Sequence, residues 1–130
     1  MNATNMAAAY KNQQILTASP EQLTLLLYNG AIKFIHESMM ALDHKDLQKS
    51  HNANMRAQDI IREFIATLDM SQEIANGYYQ LYEYLEYRLI QANMKKDKSQ
   101  LEEAKQILGE LRDAWEQAMK LARNPQAVAR

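Results

Sequence analysis

Cysteine is absent from this chain of 130 residues, and glycine and proline are scarce, with three and two residues respectively. The absence of cysteine excludes disulfide bonds and thiolate metal sites, and it fits a reducing compartment. Turns in sheets consume glycine and proline, so their scarcity favours long helices. No apolar run approaches the roughly 20 residues that span a bilayer, and no secretory signal pattern is present. We therefore expect a helical, cytoplasmic protein without membrane insertion.

Neither sign of charge dominates the chain. It carries 15 Lys and Arg against 16 Asp and Glu, which leaves a formal net charge of −1. Such a chain lacks the long-range field that attracts nucleic acid or an acidic membrane. Its hydrophobic share of 47% is ordinary for a folded protein, and its length suffices for one core. We expect one domain and no nucleic-acid partner.

Start signals and polar breaks divide the chain into four long helices. Ser19 and Gln22 form a predicted capping box, and Pro20 suits the first helical position. Further on, Ser71 is the predicted N-cap of the third helix, and Ser99 with Glu102 starts the fourth. The predicted helices cover approximately residues 20–42, 47–68, 72–94 and 99–122.

Short connections make consecutive helices antiparallel neighbours. The predicted fold is therefore all-α, an up-down-up-down four-helix bundle over residues 18–123. A short N-terminal arm at residues 1–17 and a C-terminal tail at residues 124–130 are expected to lie outside it.

The first and third predicted helices have apolar residues on two sides, although one buried face suffices for a helix in a small bundle. The expected core stripe of the first helix contains Leu25, Tyr28, Ile32, Ile35, Met39 and Leu42, and that of the third contains Ile74, Tyr78, Leu81, Leu85, Leu89 and Ala92. The second stripes contain Leu23, Leu27, Phe34 and Ala41 on the first helix, and Tyr79, Tyr87, Ile90 and Met94 on the third. By contrast, the fourth helix has one stripe, expected to be plain core, of Leu101, Ala104, Leu108, Leu111, Trp115, Ala118 and Ala122.

The second stripes predict a surface for a partner protein, because exposed apolar patches usually mark interaction sites. Eight methionines and seven tyrosines fit such a surface, since methionine adapts to varied partners and tyrosine keeps a polar tip in water. The alternative is that the chain covers these faces itself. The arm, with Tyr10, Ile15 and Leu16, has the length to cover one of them.

Asn54 and Gln58 lie one helical turn apart on the second predicted helix, beside apolar residues. Side-chain amides donate and accept hydrogen bonds, so both could pair with the backbone of a bound peptide. They could instead form a satisfied polar layer inside the bundle, or occupy a simple edge position.

The three histidines, His36, His44 and His51, match no catalytic or metal pattern. None follows a glutamate at the spacing of a di-iron bundle, and no His-Glu-x-x-His motif occurs. A histidine phosphotransfer domain is the alternative interpretation, but no histidine precedes the Lys-Gly pair typical of one. We expect no enzyme activity, no metal, no cofactor and no small-molecule substrate.

The chain resembles the flagellar secretion chaperone family, FliS, in segments spread over nearly its whole length. The matching segments include Thr17-Ala18-Ser19-Pro20-Glu21-Gln22-Leu23, Leu27-Tyr28-Asn29-Gly30-Ala31-Ile32-Lys33-Phe34, Asn54 with Ala57-Gln58-Asp59-Ile60-Ile61, and Leu111-Arg112-Asp113-Ala114-Trp115. One departure is Asn29, where the family more often has aspartate.

The resemblance implies a helical bundle of the bacterial cytosol that binds the disordered carboxy-terminal segment of flagellin. It implies that binding prevents premature polymerisation, assists type III secretion, and is followed by contact with an export-gate component. The expected flagellin contacts are Leu23, Leu27, Phe34, Asn54, Gln58, Tyr79, Tyr87, Ile90 and Met94. The arm, marked by Tyr10, is expected to occupy part of this surface when flagellin is absent.

Overall fold

The structure, a computed structural model, describes residues 17–124. The four helices of this part are α1 (Pro20–Asp43), α2 (Leu47–Thr67), α3 (Ala75–Lys95) and α4 (Lys98–Arg123). Helices α1 and α3 each pack against both α2 and α4, so the helices form a ring in chain order. No strand occurs among the described residues. The predicted all-α four-helix bundle is confirmed.

The start of α1 follows the predicted capping box. The Ser19 N–H donates to Gln22 Oε1 at 3.0 Å, and the Gln22 N–H donates to Ser19 Oγ at 3.2 Å. Two otherwise unpaired N–H groups are thereby satisfied, and Pro20, which has no N–H, begins the helix.

Helices α3 and α4 begin at other residues than the sequence predicts. Ser71 donates its N–H and its hydroxyl to Asp69 Oδ1, at 3.1 and 2.6 Å, so it belongs to a turn, and α3 begins only at Ala75. The N-cap of α4 is Asp97, whose Oδ1 accepts from the N–H and hydroxyl of Ser99 at 3.0 and 2.7 Å. Both serine caps were wrong because an aspartate two residues earlier accepts the hydrogen bonds.

The core lies along the axis of the bundle and is aromatic at one end. Phe64 lies between two tyrosines, with ring centroids 4.6 Å from Tyr28 and 5.3 Å from Tyr82. The buried core residues are Tyr28, Ala31, Ile35, Met39, Ala57, Ile61, Phe64, Tyr82, Leu85, Leu89, Ala92, Leu101, Ala104 and Leu108.

Several predicted core positions near the aromatic end are exposed instead. Ile74 is 71% exposed because it precedes α3, and Tyr78 is 36% exposed. At the end of α4, Ala118 and Ala122 are also exposed. Counted from the α3–α4 connection, Ala118 lies level with the first residue of α3, so the last turn of α4 has no α3 neighbour. No helix among residues 17–124 is long and apolar enough to cross a membrane.

Candidate partner-binding surface

Most of the second stripe of α1 is used inside the bundle. Leu27 and Phe34 are half-buried and pack against the core, Ala41 is buried, and Leu23 is 38% exposed. Because α1 packs more extensively than α3 against both α2 and α4, it needs a wider apolar face than the sequence argument allowed. The expectation of a bare second face is therefore wrong for α1, apart from Leu23.

The second stripe of α3 is different, because it faces away from the bundle. Tyr87 is 56% exposed and Met94 is 73% exposed, while Tyr79 and Ile90 are half-buried. None of the four belongs to the core or to the residues packed against it. Residues at spacings of three and four share one helix face, so Tyr87, Ile90 and Met94 form a continuous apolar strip. We call these four residues the α3 outer face.

Charged pairs join α3 to its neighbours on both sides of this face. Towards α2, Arg62 Nε lies 3.3 Å from Glu86 Oε2. Towards α4, Arg88 Nε lies 3.4 Å from Glu103 Oε2, and the Tyr84 hydroxyl donates to Glu103. Arg88 also donates to the Tyr84 hydroxyl at 2.8 Å, which raises the pKa of its guanidinium. The flanking charges are thus paired, and the α3 outer face is an apolar strip between two ion pairs.

Asn54 and Gln58 lie inside the bundle, at 1% and 3% exposure. Asn54 Nδ2 donates to the Leu89 carbonyl of α3 at 3.0 Å, and Gln58 Nε2 donates to Asn54 Oδ1 at 2.7 Å. Arg62 Nη2 closes the series by donating to Gln58 Oε1 at 3.3 Å. Of the interpretations that the sequence left open, the structure shows the satisfied polar layer. Neither amide is placed to contact a partner.

The sequence argument missed a concave region at the aromatic end of the bundle. A pocket of about 280 Å³ opens there between the helix ends. It is lined by Thr24, Tyr28, Phe64, Thr67, Leu68, Asp69, Tyr78, Tyr82 and Trp115. The signal was present in the sequence, because antiparallel helices bring the start of α1, the end of α2, the start of α3 and the end of α4 together. No predicted contact residue lines this pocket.

Tyr10, Ile15 and Leu16 lie outside the described residues, as do most of the predicted arm and tail. Two of the three histidines make a polar side-chain contact: His51 Nδ1 lies 2.9 Å from Asn93 Nδ2, and His36 Nδ1 lies 3.1 Å from Lys105 Nζ. Within residues 17–124, no group of three or more His, Asp or Glu side chains could hold a metal ion.

Comparison with known proteins gives this bundle a family. The family model described as "Flagellar protein FliS" matches residues 2–122, nearly the whole chain. The chain belongs to the FliS family. The match covers α1 to α3 and all but the last residue of α4, and it therefore includes the α3 outer face and the polar layer behind it.

Individual FliS relatives agree with this assignment. The "Flagellar secretion chaperone FliS" of Bacillus subtilis (strain 168) is 37% identical over 123 residues, which are 95% of this chain and 92% of the relative. The protein of the same name from Salmonella typhimurium is 33% identical, over 79% of this chain and 78% of the relative. That from Vibrio cholerae is 30% identical, over 84% and 85%. Membership of the FliS family makes this chain a flagellar secretion chaperone, and the phosphotransfer alternative is not supported.

Proposed function

We propose that this chaperone binds the carboxy-terminal segment of flagellin in the bacterial cytosol, and that the α3 outer face is part of the binding surface. The observation that carries the proposal is the exposure of Tyr87 and Met94, two large apolar side chains on one face of a folded helix. A secretion chaperone must offer an apolar surface to an export substrate before that substrate finds its own partners. The α3 outer face has this character.

The physical basis is the usual one for recognition of an amphipathic helix by an apolar surface. A disordered flagellin tail orders when it binds, and this costs a few kcal/mol of the gross interaction energy. The resulting moderate affinity suits cargo that must be released at the export apparatus. While bound, the apolar side of the tail is hidden, so filament growth in the cytosol is blocked. An export-gate component is the second proposed partner, and no nucleotide, metal or small molecule takes part.

The proposed contacts follow from accessibility. Leu23 and the α3 outer face are the leading contacts, and Leu27 and Phe34 contribute the edges that the bundle leaves accessible. Asn54 and Gln58 are not proposed as contacts, because both are buried and hydrogen-bonded within the chain. Tyr10, Ile15 and Leu16 are proposed to cover part of the surface in the free protein.

The test introduces negative charge into the apolar α3 outer face. We expect the variant Tyr87→Asp/Met94→Glu to weaken binding of a flagellin carboxy-terminal peptide at least tenfold, or about 1.4 kcal/mol. Solvent-exposed substitutions usually change the free energy of unfolding by less than about 0.5 kcal/mol, so the fold should remain. Isothermal titration calorimetry and thermal unfolding by circular dichroism measure the two quantities.

The matched control is Met40→Glu/Leu47→Glu, at two apolar residues of α1 and α2 that are 44% and 54% exposed. It introduces the same charge at the α1–α2 connection, on other helices than the α3 outer face, and should leave the affinity within twofold of wild type. Equal affinities of both variants would refute a role for the α3 outer face. Failure of the wild-type protein to bind the peptide would refute the proposed function itself.

A further inference from the structure

Apolar packing by itself specifies the position of α3 only weakly. Its buried residues recur at spacings of three and four, as in Tyr82, Leu85, Leu89 and Ala92. A slide by one turn, about 5.4 Å, would place one apolar residue where another was. Repeating apolar patterns of this kind leave the axial register of a helix open, and a single buried amide is a known device for choosing one.

The inner end of the polar layer fixes the fine position of α3. Asn54 Nδ2 reaches across from α2 to the Leu89 carbonyl at 3.0 Å, and its Oδ1 is held by Gln58 Nε2 at 2.7 Å. Hydrogen bonds to carbonyl oxygens weaken steeply outside a narrow range of distance and angle. A slide of α3 by half a turn, about 2.7 Å, would therefore break this hydrogen bond and strand the buried amide N–H of Asn54, which costs far more than a small change in apolar contact.

Arg62, at the solvent-exposed end of the polar layer, distinguishes between positions of α3 that differ by one helical turn. A full-turn slide would offer Asn54 another backbone carbonyl, since a helix presents one at every turn. Arg62, however, donates to both Gln58 Oε1 and Glu86 Oε2, each at 3.3 Å, and the second acceptor is a particular side chain of α3. After a one-turn slide towards the N-terminus of α3, Leu89 or Ile90 would take the place of Glu86, and Arg62 would lose its carboxylate partner. A slide in the opposite direction would bring Glu83 near Arg62, but it would stretch the two-residue connection between α3 and α4. The polar contacts and this short connection together leave one register.

The α3 residues held in this way are the immediate chain neighbours of the α3 outer face. Glu86 precedes Tyr87, and Leu89 precedes Ile90. Because a helix is stiff, fixing the rotation and height of Glu86 and Leu89 also fixes the direction in which Tyr87 and Ile90 project.

We propose that Asn54, Gln58 and Arg62 are positioning residues, which hold α3 in the one orientation that presents its outer face to the partner. This inference rests on the proposed function for its binding consequence. The layer acts from inside the bundle and touches no cargo. It selects the register of α3 rather than adding stability. Apolar replacements of the amides should therefore weaken peptide binding without lowering the melting temperature.

The decisive variant is Asn54→Leu/Gln58→Met, which removes both amides at nearly constant volume. The matched control is Ser38→Ala/Ser50→Ala, because these buried serines form the corresponding polar pair between α1 and α2, with Oγ atoms 2.9 Å apart. We expect the amide variant to unfold at a temperature no lower than the control, yet to bind the flagellin peptide about tenfold more weakly. A tenfold loss corresponds to a competent orientation populated about one tenth of the time. The control should bind within twofold of wild type.

A second measurement does not depend on flagellin. Hydrogen exchange of the free amide variant should be faster throughout α3 and unchanged in α1, while the serine control should not accelerate α3 selectively. If the wild-type protein bound no peptide, the proposed function would fail, and faster exchange of α3 would still support the positioning role. Unchanged exchange in α3, or unchanged affinity where wild type binds, would overturn the inference.

A surface variant keeps the inference testable if the amide variant does not fold. Arg62→Met removes only the exposed outer end of the layer, and Arg112→Met is its control on α4, where the guanidinium donates to Asp113 and to Asn29 of α1. We expect weaker peptide binding and faster α3 exchange for Arg62→Met only. Equal effects of the two variants would contradict the proposal.

Discussion

At the scale of single residues, the least usual contact is the meeting of two tyrosine hydroxyls in the core. Tyr28 and Tyr82 lie 2.7 Å apart across the bundle, both buried beside Phe64. Burial raises the pKa of both phenols above the ordinary value of 10.0, because the charged form loses its water. An unfolded chain ionises these tyrosines near pH 10, whereas the folded chain resists ionisation. Their contribution to stability is therefore fully present below pH 10 and is lost as the pH rises above it.

The double variant Tyr28→Phe/Tyr82→Phe should lose this alkaline sensitivity. Replacing both partners of a buried hydrogen bond with apolar groups of the same shape is nearly neutral, so we expect stability close to wild type at pH 8. At pH 11 the variant should be the more stable protein. Urea unfolding at the two pH values measures this, with Tyr84→Phe as an exposed control. An equal loss of stability in wild type and double variant at pH 11 would contradict the prediction.

Residue type could not decide the role of Asn54 and Gln58. Both lie beside apolar residues of α2, at positions where the neighbouring helix decides whether a side chain is covered or exposed. That position is a property of the assembled bundle and is absent from the local pattern. A satisfied polar layer inside the bundle was one of the possibilities that the sequence left open, and the contacts of Asn54 with the Leu89 carbonyl and with Gln58 form such a layer.

At the scale of elements, the start of α4 depends on Asp97. Its side chain accepts from the N–H and hydroxyl of Ser99, which lowers the pKa of the carboxyl group, and Gln100 Nε2 donates to its other oxygen at 3.1 Å. A carboxylate at a helix N-terminus also interacts favourably with the helix dipole. Because the folded pKa lies below the unfolded value, this contribution is present above the unfolded pKa and is lost as the pH falls through the folded one.

We therefore expect Asp97→Ala to lower the melting temperature at pH 7 and Asp97→Asn to lower it less, since an amide oxygen still caps. The gap between wild type and Asp97→Ala should close in acid, as the carboxylate is protonated. Ser99→Ala should have a smaller effect at pH 7, because it leaves the backbone cap intact. Thermal unfolding at pH 7 and pH 2.5 measures all three. A larger effect of Ser99→Ala would restore Ser99 as the N-cap.

The four helices could be predicted from periodicity and breaks, and the first start from its capping box. The other starts could not, because serine and aspartate both cap, and which of them does so depends on the geometry of the turn. The sequence also showed that α1 and α3 have apolar residues on two sides, but it did not show where the second side of each helix lies. On α1 the second side packs inside the bundle, whereas on α3 it remains outside.

At the scale of the whole molecule, the described residues form a core and provide hydrogen-bond partners for its buried polar side chains. The core cluster runs from Tyr28 to Leu108, and no buried side-chain nitrogen or oxygen within residues 17–124 lacks a hydrogen bond. We therefore expect a variant without residues 1–16 to fold and unfold cooperatively. Circular dichroism melting against the full chain measures this. A broad, non-cooperative transition would show that the removed segment belongs to the core.

Closure of the ring brings distant parts of the chain together: the indole N–H of Trp115 donates to the Glu21 carbonyl at 2.9 Å, across 94 positions of the chain. Most of the chain is therefore synthesised before α4 can cover the side of α1 that carries Asn29 and His36, which contact Arg112 and Lys105. A nascent α1–α2 hairpin exposes that side until then. Since Trp115 is the sole tryptophan, its emission reports the moment of closure.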